Sequence, residues 1–298
     1  MSDHVKIVEV GPRDGLQNEK SVLELQDKVT LVNALSNTGL SAIETGSFVS
    51  PKWVPQMANS GQVFSDIIRN SSVSYSALIP NLKGYELAKA AKASEVAIFA
   101  AASEGFSQKN INCSISESIE RFKDVAEQAK LDGIPLRGYL SCIFACPYDG
   151  ATPISTVIEA CKQLFELGCY EVSLGDTTGV GTAYETKALM HALQPHFDTA
   201  RLALHFHDTY GQALANVYAG LEAGVRTFDA SVAGLGGCPY AKGASGNLAT
   251  EDLVYLLNGS GLEHGVDLNA LMAAGNEICA ALGRKNLSAV AQAKAGAA

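Results

Sequence analysis

Two histidines stand two residues apart in Leu202-Ala203-Leu204-His205-Phe206-His207-Asp208, a branched, apolar run that reads as a β-strand. Side chains alternate along a strand, so both imidazoles share one face, roughly 7 Å apart, and can converge on one cation. A lone histidine in such a run is ordinarily a packing residue; a pair at this spacing, at a strand's C-terminal end, favours a metal. Far upstream, Gly11-Pro12-Arg13-Asp14-Gly15 sets a guanidinium beside a carboxylate where another apolar run ends. An isolated Arg-Asp pair ordinarily only solvates a loop. If the fold brings the two segments together, Asp14 joins His205 and His207 as a third ligand.

Other polar residues fall at the ends of apolar runs. Glu44, in Ile43-Glu44-Thr45, puts a carboxylate where burial is costly unless it is paired, and Arg13 is a candidate partner. That pair could equally be structural alone. Asp176 closes Glu171-Val172-Ser173-Leu174-Gly175-Asp176, a position suited to supporting a ligand or a histidine from behind rather than to direct ligation. The stretch from Ala233 to Asn247 is rich in glycine and carries Cys238 near its middle. It reads either as a plain flexible connection or as a flap over a ligand, and loops this long in compact domains are usually functional. Asn247 precedes a helical pattern, where the default role of Asn is the N-cap. Cys142 and Cys146 superficially resemble a metal pair, but no second pair follows at zinc-site spacing, and they read as buried strand thiols.

The elements that must position these residues alternate. Candidate strands lie near 5–10, 41–46, 73–79, 95–101, 136–144, 170–175, 201–207 and 227–233. Between them run helical patterns such as Leu25, Val29, Val32, Leu35 and Ile119, Phe122, Val125, Ala129. A βαβα alternation implies a parallel sheet. Eight regular units fit a single (β/α)8 barrel of the TIM type spanning 1–298, with an open doubly wound sheet as the alternative. A helix at about 247–258 and another over Asp267 to Gly283 exceed the eight-unit plan, so extra C-terminal helices are expected, the last packing across a barrel end. The Ala-rich tail reads as a short, loosely held helix, with 285–298 peripheral.

Composition narrows the function classes. At 298 residues, 47% hydrophobic and 18% charged, the chain has the make-up of a soluble enzyme, with no long uncharged apolar run to span a membrane. A net charge of −9 argues against nucleic acid as a partner and means that an anionic substrate needs a local positive cluster. Seven cysteines without a small-scaffold spacing fit free thiols. A strand that begins by Val5 leaves no room for a cleavable leader, so a cytoplasmic location is expected.

Taken together, Glu9 to Lys20 (EVGPRDGLQNEK), Ile43 to Met57 (IETGSFVSPKWVPQM), His205 to Asn216 (HFHDTYGQALAN) and Val232 to Leu257 (VAGLGGCPYAKGASGNLATEDLVYLL) resemble the 3-hydroxy-3-methylglutaryl-CoA lyase family of metal-dependent barrels. The likeness runs from the first strand to about residue 294, and the Cys-bearing flap is its most specific part. The resemblance implies cleavage of 3-hydroxy-3-methylglutaryl-CoA to acetyl-CoA and acetoacetate, as in leucine degradation. It also implies a Mg²⁺ or Mn²⁺ ion held by Asp14, His205, His207 and Asn247, an acyl-CoA substrate and a homodimer. By the same resemblance Arg13 serves catalysis, Cys238 is the flap thiol, and Glu44 and Asp176 support the site; the chemistry of that cleavage then asks Arg13 to stabilise the thioester enolate, His205 to take the hydroxyl proton and Cys238, or a water linked to it, to return one. Lys20, Lys242, Arg284 and Lys285 are candidate cations for the CoA anion, and the resemblance favours Lys285 over the others. The family pattern carries Asn where this chain has Gly283, and the tail has no cysteine for an inter-subunit disulfide. The other readings are a lyase for a longer 3-substituent, a Claisen-type synthase, which usually has a further C-terminal domain, and a metal-binding scaffold without catalysis.

Overall fold

The structure, a computed structural model, describes residues 4–237 and 246–296. Among them eight parallel strands close on themselves: β1 (Lys6–Glu9), β2 (Ala42–Ser47), β3 (Ser74–Leu78), β4 (Glu95–Ala101), β5 (Leu136–Ser141), β6 (Glu171–Asp176), β7 (Leu202–Phe206) and β8 (Thr227–Ala230). The first strand pairs with the last (Lys6 beside Thr227) and with the second (Val8 beside Ala42), which makes the (β/α)8 barrel and excludes the open sheet. Each sequence-predicted strand overlaps an observed one.

Two strands stop sooner than their sequences suggest. β5 ends at Ser141 because Cys142 takes a left-handed conformation (φ 64°) and turns the chain into a small antiparallel hairpin at Ala145–Cys146 and Gly150–Ala151. Cys142 and Cys146 are both buried, and burial pushes the Cys142 thiol up to about 12. β8 ends at Ala230, after which a 3-10 turn, Val232–Gly234, carries Ala233 at φ 58°.

Helices α1 (Leu25–Ser36), α2 (Ser60–Asp66), α3 (Leu82–Ala90), α4 (Glu104–Ile111), α5 (Ile115–Asp132), α6 (Ile154–Glu166), α7 (Ala183–Leu193) and α8 (Ala213–Glu222) wrap the barrel with the expected faces inward. In α1 Val29, Val32 and Leu35 are buried; in α5 Phe122, Val125 and Ala129 are. A reciprocal cap between Ser114 and Glu117 starts α5 and left-handed Gly133 ends it. β2 is buried along its whole length, as expected of a strand covered by helices outside and side chains inside.

The barrel interior departs from the usual branched apolar layers. Arg137 on β5, 1% exposed, donates from Nε to Glu171 of β6 (2.7 Å) and from Nη2 to Asp229 of β8 (2.8 Å). Thr227 donates to the other Glu171 oxygen at 3.0 Å. Such a layer persists because every charge has a partner; removing one partner of a buried pair typically costs about 3–5 kcal/mol.

Beyond β8 the chain adds α9 (Thr250–Gly259), α10 (Leu268–Leu282) and α11 (Ala289–Gly296). α10 packs on α1, α9 and the Val232–Gly234 turn, and left-handed Gly283 (φ 65°) ends it. The tail helix is pinned at its start: Asp252 accepts hydrogen bonds from Ser288 Oγ and from the N–H groups of Ala289 and Val290. Among the described residues no helix is long and apolar enough to cross a membrane.

Candidate functional site

β1 runs into a single π-helical turn, Gly11–Gly15, that carries Arg13 and Asp14. Both flanking glycines are sterically required: a Cβ on Gly11 would meet Glu9 Oε1 at 2.6 Å, and one on Gly15 would meet Ser231 Oγ at 2.5 Å. Without side chains there, the turn presses against the exit of β8 and aims Arg13 and Asp14 over the barrel mouth.

Arg13, buried, donates from Nε to Glu44 Oε2 and from Nη1 to Asp14 Oδ1, each at 2.6 Å, and lies over the Tyr139 ring. The Arg13–Glu44 pairing expected from the sequence is therefore present. Burial still holds Glu44 above its ordinary pKa despite Arg13. For Asp14 the balance is opposite: burial alone would raise it, but Arg13, the two histidines and Asn247 together hold it down at about 2.

His205 and His207 do share a face, with ring centroids 5.3 Å apart. His205 Nδ1 lies 3.3 Å from Asp229 Oδ2, and its Nε2 lies 3.9 Å from Asp14 Oδ2. Burial, then the neighbouring His205, lowers His207 to about 4, which keeps its ring neutral and its lone pair available. Asn247 is not a helix cap: α9 starts three residues later, at Thr250, behind Ala249. Instead Asn247 forms an antiparallel bridge with His207, and its Nδ2 donates to Asp14 Oδ2 at 2.9 Å and to the Leu235 carbonyl at 3.2 Å.

Among the described residues, ligand atoms of Asp14, His205 and His207 lie within 4.8 Å of one another. Two buried atoms beside them, Asn247 Oδ1 and His207 Nδ1, have no hydrogen-bond partner. Buried acceptors are rarely left so, and one carboxylate, two imidazoles and an amide oxygen form a donor set that fits a hard or borderline divalent cation.

Asp176 supports from behind. Its two oxygens accept from the N–H groups of Gly179 (3.0 Å) and Gly181 (2.8 Å), fixing the turn after β6, and burial raises it to about 6. It touches neither histidine; Asp229 is the carboxylate that does, and sequence reasoning missed it. Cys238 and Lys242 lie outside the described residues. The ends of their segment meet beside the cluster, where a Cβ on Gly246 would stand 2.3 Å from the Gly236 carbonyl oxygen.

A cavity of about 680 Å³ opens over the cluster, lined by Arg13, Asp14, His205 and His207 at its base and by Val54, Leu78, Phe99 and Phe122 along apolar walls. Two cations that the sequence reading did not single out, Lys109 and Arg121, also line it, as does exposed Trp53. Lys20 and Lys285 are exposed and do not line it. The only sequence signal for the missed cations is charge on two helices that follow β4, and surface helices carry such charges everywhere.

A closed parallel barrel whose strand ends gather a carboxylate, two imidazoles and an amide under an open cavity defines an α/β-barrel protein with a candidate metal site. Residues 4–278 match the family described as HMGL-like, and the chain belongs to that family. It is 58% identical over 289 residues, 97% of this chain and 96% of the other, to a Pseudomonas aeruginosa protein named 3-hydroxy-3-isohexenylglutaryl-CoA/hydroxy-methylglutaryl-CoA lyase. The crystal structure of hydroxymethylglutaryl-CoA lyase from Pseudomonas aeruginosa superposes with a TM-score of 0.98 at 57% identity, covering 100% of this chain and 99% of that one. An Acinetobacter baumannii HMG-CoA lyase in complex with coenzyme A and 3-methylmalate superposes with a TM-score of 0.93 at 38% identity, covering 98% of this chain and 96% of that one.

Proposed function

We propose that this chain is a divalent-metal-dependent lyase that cleaves 3-hydroxy-3-methylglutaryl-CoA into acetyl-CoA and acetoacetate. The observation that carries the reading is the Asp14, His205, His207 cluster with the unpartnered Asn247 Oδ1, at the base of a cavity large enough for an acyl thioester. The names of the full-length relatives point the same way.

Asp14, His205, His207 and Asn247 would hold Mg²⁺ or Mn²⁺, which supplies Lewis acidity toward the substrate's tertiary hydroxyl and carboxylate. The chain's own residues do the rest. His205 receives the hydroxyl proton on Nε2 as the C2–C3 bond breaks, which requires that Nε2 not be bound to the ion at that moment. Arg13, held by Glu44 and Asp14, stabilises the negative charge that collects on the thioester oxygen, an effect of about 3 kcal/mol for one well-placed donor. Cys238, or a water it holds, returns a proton to the enolate carbon. Asp176 keeps the turn after β6 in place.

Lys109 and Arg121 in the cavity wall, with Lys20 and Lys285 outside it, are the proposed partners of the CoA phosphates. A homodimer in the cytoplasm, with residues 285–298 peripheral to one catalytic unit, completes the reading; the six described cysteines are buried free thiols, as a reducing compartment permits. A second substrate, carrying a longer 3-substituent, is favoured by the apolar cavity wall and by the double name of the Pseudomonas aeruginosa relative. The test is acetoacetate release from 3-hydroxy-3-methylglutaryl-CoA by chelator-treated enzyme, with and without added Mg²⁺, beside release of the homologous 3-oxo acid from an isohexenyl thioester. Metal-restored turnover of the methyl substrate is expected; turnover indifferent to chelator and metal, or no turnover of either thioester, would overturn the proposal.

A further inference from the structure

We propose that Asp229 is a positioning residue for His205: clamped by Arg137 and Ser173, it accepts a hydrogen bond from His205 Nδ1–H and thereby turns the Nε2 lone pair toward Asp14. This rests on the metal-site reading above.

Asp229 on β8 stands beside His205 of β7 in the sheet register and is 2% exposed. Arg137 grips both carboxylate oxygens, Nη2 to Oδ1 at 2.8 Å and Nη1 to Oδ2 at 3.3 Å, and Ser173 Oγ donates to Oδ2 at 2.6 Å. Glu171 in turn fixes Arg137 from its other edge. Side chains from β5 and β6 thus hold one carboxylate of β8 still. Paired with a guanidinium, that carboxylate is an acceptor only, so the ring nitrogen 3.3 Å from it has to carry a hydrogen. A neutral imidazole has one such hydrogen, which leaves the lone pair on Nε2, the nitrogen that faces Asp14 Oδ2 at 3.9 Å. A histidine serving a cation needs its tautomer fixed in this way by its far nitrogen. Arg137 and Asp229 are therefore more than filling for the barrel: they extend the site one layer down.

The near-isosteric Asp229→Asn tests it. Arg137 draws the amide oxygen, leaving the NH₂ toward His205 Nδ1 and favouring the Nε2–H tautomer, a swap that disables histidines backed by aspartate elsewhere. Mn²⁺ is titrated into the metal-stripped full-length parent, Asp14→Asn and Asp229→Asn, with free Mn²⁺ followed by electron paramagnetic resonance and folding by circular dichroism. For Asp229→Asn the expected result is a native spectrum with Mn²⁺ affinity weakened by about 10–100-fold. Affinity within twofold of the parent would overturn the proposal. If instead Asp14→Asn binds Mn²⁺ as the parent does, the metal-site reading itself has failed. Should Asp229→Asn not fold, the ring ¹H–¹⁵N spectrum of the Mg²⁺-loaded parent decides: a proton on Nδ1 of His205 is expected, and one on Nε2 contradicts it.

Discussion

Arg13 makes the case that a side chain's worth depends on what holds it. Its guanidinium is fixed by Glu44 and Asp14 and flanked by the Tyr139 ring, so it meets developing charge without reorganising. Arg13→Gln is expected to lower kcat by about 10²-fold or more while KM for the acyl-CoA stays near that of the parent; steady-state kinetics check it, and a loss confined to KM would mean that Arg13 only binds. At this scale much of the site was legible. His205 and His207 announced themselves by two-residue spacing, and Glu44 by being a carboxylate inside an apolar run. The same signal was present at Asp229, in Thr227-Phe228-Asp229-Ala230, and at Arg137, behind Leu136. Those two were missed because a single charge in a short strand reads as outward-facing unless its partner across the barrel is known. Asn247 was open to misreading for a local reason: Asn before a helical pattern is ordinarily a cap, and only the three residues between it and Thr250 show otherwise.

Short elements tie the mouth of the barrel together, and Glu9 at the end of β1 is their common anchor. Its Oε1 accepts from the N–H groups of Gly11 (2.8 Å) and Val232 (2.9 Å), and its Oε2 lies 2.7 Å from Thr250 Oγ1, so the π-helical turn, the exit of β8 and the start of α9 meet at one carboxyl. Burial pushes Glu9 up from 4.5 to about 8. In its protonated form Oε2 donates to the Thr250 hydroxyl, which can accept. Because the folded value lies above the unfolded one, the native state binds the extra proton in that interval; the stabilisation is complete below about 4.5 and is lost as pH rises toward about 8. Gln mimics the protonated acid, so Glu9→Gln is expected to match the parent in melting temperature at pH 5 and to exceed it at pH 8.5. Scanning calorimetry at the two values checks this, and parallel curves for parent and variant would contradict it. Strand existence was legible from apolar runs, but strand ends at Ser141 and Ala230 were not: left-handed Cys142 turns the chain directly after β5, a 3-10 turn with left-handed Ala233 follows β8, and neither residue type signals it.

The whole molecule supplies what no element has: closure. β1 pairing with β8 carries the first turn of the chain to within reach of β7, two strands away, and thereby joins Asp14 to His205 and His207 across 191 residues of sequence or more. Eight alternating units in the sequence imply that closure, whereas the depth of the polar layer beneath the site depends on side chains reaching across the interior. The acidic net charge is likewise a property of the whole that the site opposes locally, with Lys109 and Arg121 in the cavity wall. Crystals soaked in Mn²⁺ and measured at the manganese absorption edge test the joint grip most directly. One anomalous peak is expected, about 2.0–2.3 Å from donor atoms of Asp14, His205 and His207 together. A peak that touches neither histidine, or none in the barrel mouth at saturating Mn²⁺, would contradict it.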